Sequence, residues 1–175
     1  LYKPRTRCNR NSSYMNHYRH RFEHVENYLH HRPPYLLVDK IQAIDEREIV
    51  TAKLVTEEDV FIAGHFPGAP IFPGAMMQEF ITQSAGILIA ANFNPMESYD
   101  TSDPSHNEYA LGVLMKVNSA RYRSFARPGD RLEANIRLNE IIENLFDFTG
   151  RITVRETEIM RIDFRLSNIR SALLN

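Results

Sequence analysis

The chain contains one long apolar segment set among segments in which polar and apolar residues alternate. Residues 75–91 would be apolar on nearly every side of a helix, and they follow a loop, residues 64–74, with three glycines and three prolines. A helix of this kind is normally buried inside a domain. The loop cannot form a regular element, because each proline fixes φ and each glycine permits turns closed to other residues. The pattern therefore predicts a central helix that follows a loop of rigid shape.

Segments typical of strands lie on both sides of this helix. Before it, a short amphipathic helix is predicted at residues 22–29, with strands at 35–45 and 48–56 joined by a polar turn at 46–47. After it, residues 92–108 have no periodicity and are expected to form either a mobile connector or a lid over the site. Further strands are predicted at 109–125, 131–142, 145–155 and 159–169, with a turn at 127–130 and a two-residue hairpin at 143–144. We expect an α+β fold, a mostly antiparallel sheet wrapped around one helix.

Charge divides the chain into two parts. Residues 1–22 carry six of the 21 Lys and Arg residues and no acidic residue, which leaves 15 basic against 22 acidic residues in the rest. We expect residues 1–22 to be a disordered basic arm or a cloning remnant, with an organelle transit peptide as a further alternative. Nothing in residues 23–175, the single predicted domain, supports the other reading of a basic tail, nucleic-acid binding.

Composition restricts the compartment and the chemistry. The single cysteine, Cys8, excludes an internal disulfide and is typical of a reducing cytoplasm. The longest apolar run, residues 80–93, is too short to span a membrane. His17, His20 and His24 have helical spacing, but no further ligand completes a metal site, so a solvated face is favoured. We expect a cytoplasmic protein without metal or cofactor.

The chemically active residues are polar exceptions in and before the central helix. Glu79 and Gln83 lie four residues apart on one helix face. No Lys or Arg occurs in residues 54–115, so a buried Glu79 is expected to keep its proton and act as a donor, unless a distant strand supplies a cation. His65 on the loop is a candidate base, and the Gly74 amide at the helix N-terminus a candidate anion binder. Such groups can remove a proton beside a carbonyl and expel a group at the β position.

These residues also resemble the signature of a known family. Gly64-His-Phe-Pro-Gly-x-Pro-x-x-Pro-Gly74, followed by Glu79 and Gln83, is similar to the motif of the 3-hydroxyacyl-[acyl-carrier-protein] dehydratases of the hot-dog fold, which act in bacterial fatty-acid synthesis. Residues 29–40 resemble that family's His-Arg-x-Pro turn and Leu-Leu-Val-Asp strand, and residues 120–131 resemble its Ala-x-Phe…Pro-Gly-Asp pattern. The resemblance extends from about residue 23 to the last strand.

The resemblance implies a reaction and a role for each residue. The chain would convert a (3R)-3-hydroxyacyl-[acyl-carrier-protein] to the trans-2-enoyl product, with His65 taking the α proton and Glu79 donating to the departing hydroxyl. Gly74 would bind the thioester carbonyl, and Gln83 would orient Glu79 or a water molecule. Phe72 lies near the acyl tunnel in relatives and would bear on chain length. Relatives that also isomerise the product carry Asp where Glu79 stands, which argues against isomerase activity.

The resemblance also implies partners. Acyl carrier protein, an acidic partner, would deliver the substrate to a basic patch for which Lys116, Arg121, Arg123 and Arg127 are candidates, with solvated strand charges as the alternative. In relatives the His and the Glu of one site come from different subunits, so a homodimer is expected, and relatives often assemble as three dimers.

Two other functions are compatible with a hot-dog fold. A thioesterase would use a carboxylate to activate water and would not need a His on the loop. A non-catalytic acyl-binding subunit would bind substrate and leave conversion to an active partner, but the pair of His65 and Glu79 argues against it.

Overall fold

A computed structural model describes residues 16–106, 111–170 and residue 173. In these ranges the chain forms one α-helix, α1 (Gly74–Asn92), and six strands. The strands are β1 (Lys40–Ile44), β2 (Glu48–Leu54), β3 (Leu111–Tyr122), β4 (Arg131–Ile142), β5 (Leu145–Val154) and β6 (Thr157–Ile169). They make one antiparallel sheet in the order β1-β2-β4-β5-β6-β3. Two 3₁₀ turns, Val25–Asn27 and Pro104–His106, complete the described elements.

The sheet wraps around α1, as the sequence predicts. The helix is buried at positions all around its circumference, including Phe80, Ile81 and Leu88. Strands β4 and β5 present alternate residues to it, which is the burial pattern of strands with one face on a core. Where α1 crosses β5, a Cβ on Gly150 would lie 2.7 Å from Cγ2 of Ile81. The predicted α+β architecture with one central helix is confirmed, and α1 extends the predicted helix by one residue at each end.

Two elements before α1 are shorter than predicted. The helix predicted at residues 22–29 is only the turn Val25–Asn27, whose N-cap residue His24 makes no side-chain capping bond. A segment this short has too few hydrogen bonds to offset the cost of helix nucleation. The strand predicted at 35–45 begins only at Lys40, because the amide of Leu37 donates to the side chain of Gln83 on α1 at 2.8 Å.

The irregular segment after α1 is held against the core in the part that the structure describes. The hydroxyl of Tyr99 donates to the carbonyl of Tyr28 at 3.0 Å, and Arg32 donates to the carbonyl of Thr101 at 3.0 Å. Burial raises the pKa of the Tyr99 phenol. Residues 92–106 therefore cover one side of the fold, and the predicted segment's residues 107–108 fall outside the described residues.

Part of the predicted basic arm also contacts the fold. The amide of Tyr18 donates to the carbonyl of Asn94 at 2.7 Å, and Arg21 donates to the carbonyl of Ala91 at 3.0 Å. Residues 16–22 therefore lie against the C-terminal end of α1. Residues 1–15 fall outside the described residues, and the assignment of 1–22 as an arm stays a prediction.

Strand β3 forms one edge of the sheet and carries exposed apolar side chains. It pairs with β6, and among the described residues no strand pairs with its other side. Leu114, Met115 and Val117 are exposed by 41%, 57% and 37%. A long apolar edge of this kind is a template for pairing with another chain. No described helix has the length and apolar character needed to cross a membrane.

Candidate active site

The loop before α1 is held by its own backbone. The amide of Ile71 donates to the carbonyl of His65 at 3.0 Å, and the amide of Phe72 donates to the carbonyl of Ala126 at 2.8 Å. Gly68 has φ of +78°, in the left-handed region that favours glycine. These constraints fix where the loop presents the side chain of His65.

The imidazole of His65 has a defined tautomer. Its Nδ1 lies 3.2 Å from the carbonyl oxygen of Ile71. A carbonyl oxygen only accepts hydrogen bonds, so Nδ1 carries the proton, and in the neutral ring Nε2 holds the free lone pair. The ring stacks on Phe66 with centroids 4.3 Å apart. His65 therefore presents one nitrogen that can take a proton.

Gln83 positions Glu79. Its Nε2 donates to Oε1 of Glu79 at 2.9 Å and to the carbonyl of Tyr35 at 2.8 Å, while its Oε1 accepts the amide of Leu37 at 2.8 Å. The side chain is 2% exposed. Because a backbone donor fixes its oxygen, the amide cannot be flipped without losing these bonds. One carboxylate oxygen of Glu79 is thus held in place by the segment that leads into β1.

The surroundings of Glu79 differ from those that the sequence suggested. The Nε2 of His31 lies 3.8 Å from its Oε1, and the hydroxyl of Thr82 lies 3.3 Å from its Oε2. The side chain of Glu79 is 21% exposed. The carboxyl group is therefore only partly buried, and the neighbouring cationisable group is a histidine, which a search for Lys and Arg overlooks. The role of Glu79 as a proton donor stays a prediction.

His31 is the residue of this site that the sequence analysis missed. Burial lowers its pKa, Glu79 opposes that shift, and Arg32 adds to it. Its Nδ1 is buried and has no hydrogen-bond partner among the described residues. The ring stacks on Tyr35 with centroids 5.7 Å apart. The available signal was its place directly before Arg32-Pro33 in the family-like turn.

Gly74 and Phe72 occupy separate places at the start of α1. The Gly74 amide, as the first in the helix, has no acceptor within it and lies at the positive end of the helix dipole. A Cβ on Gly74 would lie 3.0 Å from Cε1 of Tyr122. Phe72 is 1% exposed, with Nζ of Lys53 5.6 Å from its ring centroid. Lys53 in turn pairs with Asp59 at 2.8 Å.

A cavity of about 240 Å³ opens beside Glu79 and runs along α1. Its lining starts at Glu79 and Gln83, continues over Gly86 and Ala90, and ends at Asn94. The described lining residues do not include His65, Phe72 or Gly74. One protomer thus brings Glu79 and Gln83 together, and it leaves the other predicted site residues outside this cavity.

The histidines near residue 20 and the basic candidates for the partner surface were also predicted from the sequence. His20 does not lie on a solvated face: its Nε2 is 2.9 Å from the carbonyl oxygen of Met96, and its ring stacks on Phe22. No group of three metal-ligating side chains occurs in the ranges that the structure describes. Of the basic candidates, Arg123 lies beyond the end of β3 and pairs with Glu158 at 3.2 Å.

Comparison with known proteins defines the class first. A family model described as a FabA-like domain matches residues 29–163. Among solved structures, the dehydratase heterocomplex ApeI:P from Xenorhabdus doucetiae has a TM-score of 0.73 at 19% identity, covering 88% of this chain and 96% of that chain. Together with the sheet that wraps one helix, these matches define a FabA-like domain of hot-dog fold.

Sequence identity then defines the family within that class. The 3-hydroxyacyl-[acyl-carrier-protein] dehydratase FabZ of Thiobacillus denitrificans is 35% identical over 133 residues, covering 75% of this chain and 86% of the relative. The FabZ of Coxiella burnetii is 31% identical over 131 residues, covering 74% and 86%. The chain belongs to the FabZ family of 3-hydroxyacyl-[acyl-carrier-protein] dehydratases.

Proposed function

We propose that the protein is a hydro-lyase that converts (3R)-3-hydroxyacyl-[acyl-carrier-protein] to trans-2-enoyl-[acyl-carrier-protein] in the fatty-acid elongation cycle. Membership of the FabZ family supports this reaction. The observation that carries it in the structure is the carboxyl group of Glu79, held by Gln83 at 2.9 Å at one end of a cavity that runs along α1. A cytoplasmic location stays a prediction from the single cysteine.

The mechanism needs one base and one acid. Nε2 of His65 takes the α proton, the bond between the β carbon and the hydroxyl oxygen breaks, and Glu79 in its acid form gives its proton to the departing hydroxyl, so water leaves. Charge that develops on the thioester oxygen is stabilised by the Gly74 amide. The step leaves an imidazolium at His65 and a carboxylate at Glu79. Transfer of that one proton from His65 to Glu79 restores the site.

We infer that two copies of the chain assemble this pair. The described lining of the cavity includes Glu79 and not His65, which supports a second copy as the source of the imidazole. The exposed apolar edge of β3 is the surface best suited to pairing, since an antiparallel partner strand would satisfy its backbone and cover Leu114, Met115 and Val117. We infer a homodimer joined along β3. Three such dimers would form a hexamer.

Acyl carrier protein is the inferred carrier of the substrate. It is acidic, and exposed cations near the end of β3 suit it: Arg121 is exposed, and Arg127 lies over the ring of Phe125 at 5.6 Å. Lys116 and Arg123 complete the candidate patch. Replacement of Arg121 and Arg127 by Glu is expected to raise KM for the carrier-linked substrate and leave KM for a free thioester unchanged.

The direct test is formation of enoyl absorbance from a 3-hydroxyacyl thioester. Wild type is expected to produce it, and His65→Ala or Glu79→Gln is expected to lower kcat by about 10²–10⁴-fold, the usual contribution of an acid or base. Gln78→Leu, on the same helix, serves as the control. Full turnover in both site variants would refute the proposal.

Thioester hydrolysis is the second candidate, because the imidazole of His31 at 3.8 Å from Glu79 forms a pair that can activate water. A colorimetric assay for free thiol on the same substrate separates the two reactions. Dehydration releases no thiol, whereas a hydrolase would release one thiol for each substrate consumed. Substrate binding by calorimetry without either product would instead indicate a non-catalytic acyl-binding subunit.

A further inference from the structure

The cavity beside Glu79 ends at a polar group for which the proposed reaction has no use. Asn94 is 1% exposed, and its Oδ1 accepts the amide of Met96 at 2.8 Å. That bond fixes the orientation of the side-chain amide. Its Nδ2 is buried and has no hydrogen-bond partner among the described residues. A buried amide donor without an acceptor destabilises the fold, so a ligand atom or a water molecule is expected to accept from it.

The position of Asn94 matches the far end of an acyl chain. Beyond Thr82 and Gln83, the residues of α1 that line the cavity are small or apolar, namely Gly86, Ile89 and Ala90. The 11 steps from Glu79 to Ala90 rise about 16 Å along the helix, and Asn94 lies two residues beyond the end of α1. An extended chain advances roughly 1.2 Å per bond, so about 13 bonds cover this distance. A chain that enters at Glu79 therefore ends near Asn94.

We propose that this end of the cavity is a subsite for a neutral oxygen, a hydroxyl or a carbonyl, carried near the end of the acyl chain. The inference rests on the proposed function for the direction in which the chain enters, and it adds the substrate class. Buried Asn168 lines the same end and adds polar surface. None of the described lining residues is Lys or Arg, and the histidine among them, His31, lies beside Glu79 at the other end. A carboxylate there would be buried without a cation, which is costly, so the oxygen is neutral.

The test compares matched pairs of 3-hydroxyacyl thioesters of about 10 to 16 carbons, one of each pair with a terminal hydroxyl and one without. For the best-fitting length, wild type is expected to favour the hydroxylated member by about two- to tenfold in kcat/KM, the range for one hydrogen bond. Asn94→Leu is expected to abolish the preference, because leucine offers no hydrogen bond. Asn94→Asp keeps an oxygen for the Met96 amide and removes only the donor. It is therefore expected to abolish the preference in a second matched pair whose distinguishing oxygen is a ketone, which cannot donate to the carboxylate.

Ile89→Val is the matched control, because it alters the apolar lining and is expected to change both members of a pair equally. The ratio between two substrates in one variant is a readout that loss of folding does not move. Equal turnover of both members by wild type, as expected if Nδ2 binds only a water molecule, would overturn the subsite and leave the dehydratase function standing. If neither member turns over, the proposed function fails. Calorimetry with saturated acyl pantetheine thioesters, with and without the terminal hydroxyl, then decides the subsite by itself.

Discussion

The side chain of Gln83 ties the carboxyl group of Glu79 to the segment before β1. It donates to Glu79 at 2.9 Å while it accepts from the amide of Leu37 at 2.8 Å. The Leu37 amide would otherwise extend β1. Instead it fixes Gln83, which in turn orients Glu79, the proposed acid. This contact therefore both shortens β1 and positions Glu79.

Gln83→Leu is therefore expected to affect both activity and stability. Loss of the contact frees Glu79, and a misplaced acid costs about 10²-fold in kcat. The buried amide of Leu37 loses its acceptor, which costs about 1–3 kcal/mol of unfolding free energy. Steady-state kinetics and urea denaturation measure the two effects. Thr82→Val is the comparison. It removes the longer contact to the carboxylate at 3.3 Å and the hydroxyl's 3.0 Å bond to the carbonyl of Glu79, but leaves Gln83 in place, so it is expected to lose less activity. A larger loss than in Gln83→Leu would contradict the assignment.

Two half-buried histidines predict how stability depends on pH. Burial lowers the pKa of His30 and of His31 from 6.5, so both are neutral in the folded state where the unfolded chain is protonated. The unfolded state then binds more protons, and the free energy of unfolding falls as pH falls from about 6.5 towards the lowered values. Melting temperatures across this range measure the slope.

His31→Gln is expected to make that slope shallower, since it removes one of the groups whose protonation opposes folding. His24→Gln, on an exposed residue, is the control. A slope unchanged in His31→Gln would show that the imidazole is as accessible to protons in the folded protein as in the unfolded chain.

Gly74→Ala separates packing from catalysis. The added Cβ would lie 3.0 Å from the ring of Tyr122, which is 48% exposed and has room to move. Stability is therefore expected to change little. Alanine keeps the amide N–H but places a Cβ beside it. If the thioester oxygen must approach this amide closely, the Cβ holds it away and kcat falls by about 10²–10³-fold, the usual cost of losing one oxyanion contact. Tyr122→Ala in the same chain relieves the contact, so recovery of activity in the double variant would assign Gly74 a packing role only.

Gly150→Ala tests the contact between α1 and β5. Its Cβ would lie 2.7 Å from Cγ2 of Ile81, a fully buried branched side chain that cannot swing away. We expect a loss of about 1–3 kcal/mol in unfolding free energy, the usual cost of overpacking. Gly64→Ala is the control, because no atom lies within 4 Å of its Cβ. Equal denaturation midpoints for the two variants would contradict the described packing.

Periodicity predicted the central helix and the four strands after it because these elements bury one face or all faces, so that burial leaves a pattern in the sequence. It failed for residues 35–39, which look like a strand but give the amide of Leu37 to a side chain on α1. It also failed for residues 22–29, where buried Val25, Tyr28 and Leu29 have helical spacing without a helix long enough to persist.

The sequence likewise predicted only part of the candidate site. Spacing on one helix was sufficient to pair Glu79 with Gln83. The neighbour at 3.8 Å, His31, is 48 positions earlier in the chain, and no local pattern reveals a contact between segments so far apart. Asn94 could not be identified either, because an unpartnered donor is a property of packing and not of sequence.

The central claim, that His65 and Glu79 act together across two copies of the chain, is tested most directly by mixing two inactive variants. His65→Ala and Glu79→Gln are purified separately, unfolded together and refolded as a mixture. A mixed dimer holds one site with both groups intact, and random pairing makes half of the dimers mixed, so the account predicts recovery of about a quarter of wild-type activity. A mixture as inactive as its components, with mixed dimers verified by native mass spectrometry, would contradict the account.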